Sequence, residues 1–405
     1  MRRIINSNAG FSLVEILIVM GMFVVVMVIT SSALNIVLSK GNIVQRSEES
    51  NIEGVIGLEM LRHDLAQAGL GLFTNTDNLP VYAEAVGVAA APYNDSNNTP
   101  RAIVTGNNLP LAANVVLNGT DYMAIKATTV GNNAIAQRWT YVTDDGVPHQ
   151  WGTDDLVNGN IVIALTQTYN AKRGVLEHSL VKTAPTNYEI SFTDPASATY
   201  TPAIGKRYYF YGIQGAANLR APFNRVDYYV RRPDNGFPTS CSPATGVLYK
   251  AVMSHLDGTL LPEIPILDCV ADMQIVLGWN TQANPEGSNV IDVLSSSDDG
   301  VLPNTVTAPG GGGLNGLDIL TIMRDPAEVR RRLRQIKVYL LVQDSMRDPN
   351  FSNTNNALPI ADAGEGPLVE RPGQIVPGSV DLTTPNMLNY RWKVYRVVVK
   401  PKNLG

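Results

Sequence analysis

Few residues of this 405-residue chain carry types and spacings suited to chemistry, and one of them stands in a costly place. Glu15 is the single charged residue in the run Phe11–Thr30, FSLVEILIVMGMFVVVMVIT, which is long enough to cross a bilayer. A carboxylate in hydrocarbon costs about 2–3 kcal/mol or more, so it needs an assigned partner. The other candidates do not assemble into a reactive set. His63, His149, His178 and His255 lack the i, i+4 spacing of a zinc-protease helix and carry no adjacent nucleophile signature. Gly310–Gly313 are not followed by Lys-Ser or Lys-Thr, so they read as a loop rather than a phosphate cradle. Asp144, Asp145, Asp154 and Asp155 bracket a turn around His149 and offer oxygen ligands of the kind Ca²⁺ takes. Their spacing is not that of an EF-hand loop, and exposed turn carboxylates are the favoured reading. Arg330, Arg331, Arg332 and Arg334 suit either an acidic partner or, as favoured, a solvated helix face. No catalytic set, metal or cofactor is expected.

The elements that must position Glu15 begin with a short polar leader. Arg2 and Arg3 are basic, and the residue suited to a cleavage site, Gly10, comes before the apolar run instead of after it. Cutting there leaves the hydrophobic helix on the mature protein, the reverse of a secretory signal. No Cys follows the leader, which excludes a lipoprotein anchor. The positive-inside tendency places the amino terminus in the cytoplasm and the residues after about Leu38 on the far side. A net charge of −5 with 17% charged residues supplies no basic field for nucleic acid. In an oxidising compartment Cys241 and Cys269 are either a disulfide, worth roughly 3–4 kcal/mol for a loop of about 29 residues, or two separate buried thiols.

Gly10, Phe11, Ser12, Leu13, Val14 and Glu15 resemble the processing site of type IV prepilins and type II secretion pseudopilins. The resemblance implies cleavage after Gly10 by an inner-membrane prepilin peptidase and N-methylation of the new terminus, Phe11. It also implies pairing of Glu15 with the terminal amine of a neighbouring subunit. A positive amine from an adjacent helix would offset the cost of the buried acid. The segment Leu58–Gly69, LEMLRHDLAQAG, is similar to the helix end of PilW-type minor pilins, which are related to the J-class pseudopilins. One departure is Ser31 and Ser32, near where many major pilins carry a helix-bending proline. The resemblance implies a minor pilin in initiation, assembly or tip structure of a type IV pilus, with a type II secretion pseudopilin as the near alternative. A signal-anchored periplasmic enzyme or adhesin is the alternative of a different class. Implied partners are other minor and major pilins, the peptidase, an inner-membrane assembly platform and a tip adhesin; nucleic acid is not among them. The implied locations are the inner membrane with a periplasmic head before assembly, and a surface pilus or periplasmic pseudopilus after it.

The fold class expected is α+β: a long amino-terminal helix packed on a large β-rich head. The expected organisation is a leader at 1–10, a membrane or filament-core helix at 11–38, an amphipathic periplasmic half at 39–70 and the head at 74–405. No proline precedes Pro80, and Gly54, Leu58, Leu61, Leu65 and Ala68 recur at steps of four and three, drawing one small and apolar stripe. Gly69 and Gly71 supply the stop. Strands are expected at 121–128, 161–165, 207–211, 226–231, 246–252, 271–279, 336–342 and 390–400. Asp325, Pro326 and Glu328 suit the cap, first and third positions of a short helix. Proline-rich stretches at 281–316 and 352–386 read as excursions from the head.

Overall fold

The first helix, α1, runs unbroken from Leu13 to Gln67 in the computed structural model, 55 residues in all. The structure describes residues 12–109, 116–171, 175–298, 306–307, 318–369, 379–382 and 387–404. Two compact units, residues 1–52 and 53–405, divide the chain.

In the first unit the segment Leu13–Leu34 exposes its apolar side chains on every face. Its 22 residues rise about 33 Å, against a hydrocarbon core of about 30 Å, so the helix is long and apolar enough to cross a membrane. Two of its hydroxyls bond within the helix: Thr30 Oγ1 donates to the Val26 carbonyl at 2.7 Å, and Ser32 Oγ to that of Ile29 at 2.9 Å.

In the second unit the carboxyl part of α1 lies on a sheet. Leu61, Leu65 and Ala68 are fully buried, Gly54 is buried and Leu58 half-buried, along the stripe expected from their spacing. Each leucine contributes roughly 1.5–3 kcal/mol of burial. Gly57 lets the backbones approach: a Cβ there would stand 2.3 Å from the Ile266 carbonyl oxygen. Gly69, at φ 84°, ends the helix and donates its N–H to the Lys126 carbonyl at 3.0 Å. The chain's far end returns here, with Lys402 N–H bonded to the Ala66 carbonyl at 3.0 Å.

After α1 the chain lays down β1 (Ile103–Gly106) and β2 (Tyr122–Ala127), then leaves to build a smaller sheet. That sheet comprises β3 (Trp139–Val142), β4 (Ile161–Asn170), β5 (Val175–Leu180), β6 (Ile190–Ser191) and β7 (Tyr208–Gln214). The chain returns with β8 (Asn224–Arg231), β9 (Gly246–Met253) and the 20-residue β10 (Leu260–Trp279). Next come β11 (Val293–Ser296), β12 (Val306–Thr307), α2 (Ile319–Arg324), α3 (Pro326–Arg332) and β13 (Leu333–Gln343). A two-stranded ribbon, β14 (Ala357–Pro359) with β15 (Ser379–Asp381), precedes the last strand, β16 (Trp392–Val399). Among the described residues nine strands form one antiparallel sheet in the order β1-β2-β8-β9-β10-β11-β12, with β13 pairing β10 and β16; the smaller sheet runs β3-β7-β4-β5, with β6 on β4.

α3 starts as its sequence implies: Asp325 Oδ1 accepts from Ala327 N at 2.7 Å and Glu328 N at 3.1 Å, with Pro326 in the first turn. Alternation along β13 divides two cores. Ile336, Val338, Leu340 and Val342 join the core that α1 covers, whereas Tyr339 and Leu341 face the other side.

That second face changes the reading of both excursions. The stretch 281–316 adds β11 and β12 to the main sheet. The stretch 352–386 supplies Ile360, Leu368, Val369, Val380 and Leu382, which cover Tyr339, Leu341 and Val276. Turns and short ribbons deliver these apolar residues, so they show no helical or strand period in the sequence.

Candidate functional site

The amino end of α1 is built from Ser12 and Glu15. Ser12 Oγ accepts from Val14 N at 3.2 Å, while Ser12 N donates to Glu15 Oε2 at 2.9 Å. This reciprocal Ser-x-x-Glu arrangement satisfies helix-end donors and gives Glu15 a partner within its own turn. The spacing that implies it, a serine three residues before the acid, is visible in the sequence. Gly10 and Phe11 lie outside the described residues.

At the other end of α1 a second acid is handled differently. Asp64 is 2% exposed; its Oδ2 accepts from Tyr228 Oη at 2.7 Å and Lys250 Nζ at 2.6 Å, side chains paired across β8 and β9. His63 Nδ1 lies 3.4 Å from Asp64 Oδ1, and that hydrogen bond raises the imidazole above its ordinary pKa against the opposing effect of burial. Asp64 thus ties helix to sheet. It stands three residues after Leu61 and four before Ala68, a spacing that sets it at the edge of the apolar stripe and apart from the exposed Glu59, Arg62 and His63.

A larger buried network holds residues 82–101 on the main sheet. Glu84 Oε2 meets Lys126 Nζ at 2.7 Å and Arg225 Nη1 at 3.1 Å. Asp95 meets Lys126 at 2.6 Å and Arg101 at 2.7 Å, and Asp227 meets Arg225 Nε at 2.7 Å and accepts from Tyr122 Oη. Burial would raise the Asp95 carboxyl, but Lys126 and Arg101 outweigh it and hold it below the usual range. Three carboxylates and three cations close on one another, an arrangement that fixes the register of a loop and is costly to break one member at a time.

The remaining sequence candidates occupy separate places. Cys241 and Cys269 form a disulfide with Cα atoms 5.1 Å apart. Cys269 takes φ 53° beside Val270, where β10 passes from pairing with β9 to pairing with β13. Asp145 Oδ1 accepts from Thr143 Oγ1 at 2.8 Å and Val147 N at 3.1 Å, and these bonds hold its carboxyl low. Asp155 accepts from Trp151 N at 2.5 Å and Gly152 N at 3.1 Å, while Asp144 and Asp154 are exposed. Among the described residues no group of three or more His, Cys, Asp or Glu side chains is placed to hold a metal.

The arginine cluster departs from the expected solvated face. Arg332 and Arg334 are 5% and 6% exposed. Arg332 Nη1 donates to the carbonyls of Asn280 at 3.2 Å and Gln282 at 2.8 Å; Arg334 donates to those of Ser288 at 2.6 Å and Pro285 at 2.5 Å. They organise a neighbouring loop whose carbonyls lack strand partners, a role set by chain segments some 50 residues away. The histidines are dispersed: His149 is exposed beside the acidic turn, burial lowers His178 in β5, and burial lowers His255 to about 4.

The site and fold define an α+β protein with an apolar amino-terminal helix compatible with a membrane or signal anchor and a large antiparallel β-rich unit. Comparison with protein-family models, curated proteins and solved structures returned no match.

Proposed function

We propose that the chain is a PilW-type minor pilin, inserted in the inner membrane, processed after Gly10 and N-methylated at Phe11, that joins other pilins in starting or capping a type IV pilus. The observation that carries this reading is the segment Leu13–Leu34, apolar and exposed on every face, with one carboxylate in its first turn. An all-round apolar helix suits lipid first and a bundle of like helices afterwards. Glu15 would then set the depth at which helices meet: in the assembled form the amine of Phe11 from another subunit replaces part of its local bonding to Ser12. A folded β-rich unit suits a head that stays outside such a bundle.

The test is Glu15→Ala in the native host. Normal membrane insertion and processing with assembly reduced at least about tenfold is the expected outcome, read from a sheared surface fraction; wild-type amounts of filament would refute the role. Mass spectrometry of the same protein gives the second check. A mature mass lacking residues 1–10 and carrying one methyl group is expected, whereas a retained leader would favour an anchored periplasmic protein. Recovery in a periplasmic rather than a sheared fraction would assign it to a pseudopilus.

A further inference from the structure

The smaller sheet carries an aromatic cluster that the assembly reading does not use. On one face of β3 and β7, Trp139 pairs with Tyr211 and Tyr141 with Tyr209. The turn after β3 folds back and adds His149 and Trp151. Trp139 and Trp151 lie 4.8 Å apart between ring centroids, His149 stacks on Tyr141 at 4.7 Å and packs edge-on to Trp151 at 4.4 Å, and the Arg207 guanidinium sits 4.6 Å from the Tyr141 ring. The two tryptophans remain 39% and 48% exposed. Large aromatics left at the surface as one cluster mark an interaction site more often than scattered apolar residues do.

The cluster is held rigid before any ligand arrives. Trp151 Nε1 donates to the Trp139 carbonyl at 2.9 Å, His149 N to that of Tyr141 at 2.9 Å, and Thr140 Oγ1 to that of His149 at 2.5 Å. Asp155 accepts from the backbone N–H of Trp151 through Oδ1 and from that of Gly152 through Oδ2. Such preorganisation lowers the ordering cost of binding. With the Trp151 ring nitrogen already bonded, what the indole offers outward is its apolar ring, while the exposed His149, Gln150, Asp154 and Arg207 supply hydrogen-bonding groups close by in the same strands and turn.

We propose that the ledge of Trp139, Trp151 and Tyr211 binds neutral glycans, specifically pyranosides whose equatorial hydroxyls leave flat C–H faces to stack on the rings. Area and charge select this occupant. At the stated exposures the two tryptophans present roughly 200 Å² of accessible surface between them, against the ~800 Å² a side that a stable protein contact needs. Arg138, Lys206 and Arg207 are outnumbered by Asp144, Asp145, Asp154 and Asp155 in these segments, a charge balance that does not favour a polyanion. The inference is independent of whether the chain is a pilin.

The test titrates the full chain, in a detergent without a sugar headgroup, with cellotetraose and N-acetylchitotetraose while tryptophan fluorescence is followed. A saturable shift below about 10 mM is expected with at least one of them. Trp151→Ala should weaken it about tenfold or more, and Trp151→Phe, which keeps a ring, should weaken it less. Oxidation of the wild-type protein by N-bromosuccinimide, read by peptide mass spectrometry, adds an arm that needs no variant: the bound sugar should protect Trp139 and Trp151 but not Trp392. The proposal is overturned if neither tetrasaccharide gives a saturable shift, if protection does not fall on Trp139 and Trp151, or if oligothymidine or heparin binds the same residues in preference to the sugars.

Discussion

The two halves of α1 handle an acid and an apolar surface in opposite ways. Near the amino end Glu15 is exposed, shares a capping arrangement with Ser12, and opens a segment that is apolar all round. Near the carboxyl end Asp64 is buried, takes Tyr228 and Lys250 as partners, and stands beside a stripe whose Leu61, Leu65 and Ala68 are fully buried in the main core. The same secondary structure is thus complete in one half and open in the other. Helix propensity does not distinguish the halves; what covers them does.

The comparison breaks most sharply at Asp64. Asp64→Ala leaves the Lys250 ammonium buried without its carboxylate, and the folded head should lose about 3–5 kcal/mol in denaturant unfolding. Glu15→Ala should leave that same unfolding curve unchanged. Equal effects of the two substitutions would mean that the halves are not energetically distinct.

Acid should find a weakness confined to the head. His255 is buried, and burial lowers it to about 4, so it contributes stability that is present above its unfolded value near 6.5 and lost as pH falls through about 4. That loss amounts to roughly 3 kcal/mol, and His255→Gln should remove most of it, seen as a flatter dependence of unfolding free energy on pH over this window. Asp121 works with the opposite sign: burial raises it to about 7, so its contribution is lost as pH rises through that value. The difference between variant and wild type isolates the histidine.

A smaller effect separates helix propensity from packing. Gly57→Ala favours helix by about 1 kcal/mol, yet its Cβ would collide with the Ile266 carbonyl, a backbone atom that cannot swing aside. A net loss of about 1–3 kcal/mol is expected in thermal or denaturant unfolding. Gly21→Ala, with nothing within 4 Å of its Cβ, should instead leave head unfolding unaltered and modestly favour helix in its own segment. The smallest change is Ser12→Ala, which removes the cap oxygen at a cost of about 1 kcal/mol and should speed amide exchange over residues 13–16 without touching the head.

Legibility in the sequence followed periodicity. α1, its stripe, its glycine stop, the capped start of α3 and the alternation along β13 all rest on residues close in the chain, whose spacing alone implies the element. β3, β5 and the first ten residues of β10 were missed because they are edge or irregular strands, broken by Pro262 and Pro265 in the last case. The two excursions contribute more to the head than their loop-like sequences imply: 281–316 adds short strands to the main sheet, and the apolar residues of 352–386 cover a face rather than line an element. At the amino end, Glu15 was legible as an anomaly, but its bond to Ser12 was not drawn from the spacing.

The sequence by itself determined that a long apolar helix bearing one acid precedes a β-rich body, because hydropathy and period are properties of neighbouring residues. Only the tertiary structure decided which charges are buried and what they hold. Asp64 with Lys250, Glu84 with Lys126, and Arg332 and Arg334 with distant carbonyls are joined across gaps of tens to hundreds of residues. A charge reads alike in sequence whether water or a partner will satisfy it; the difference arises only when the folded chain removes the water.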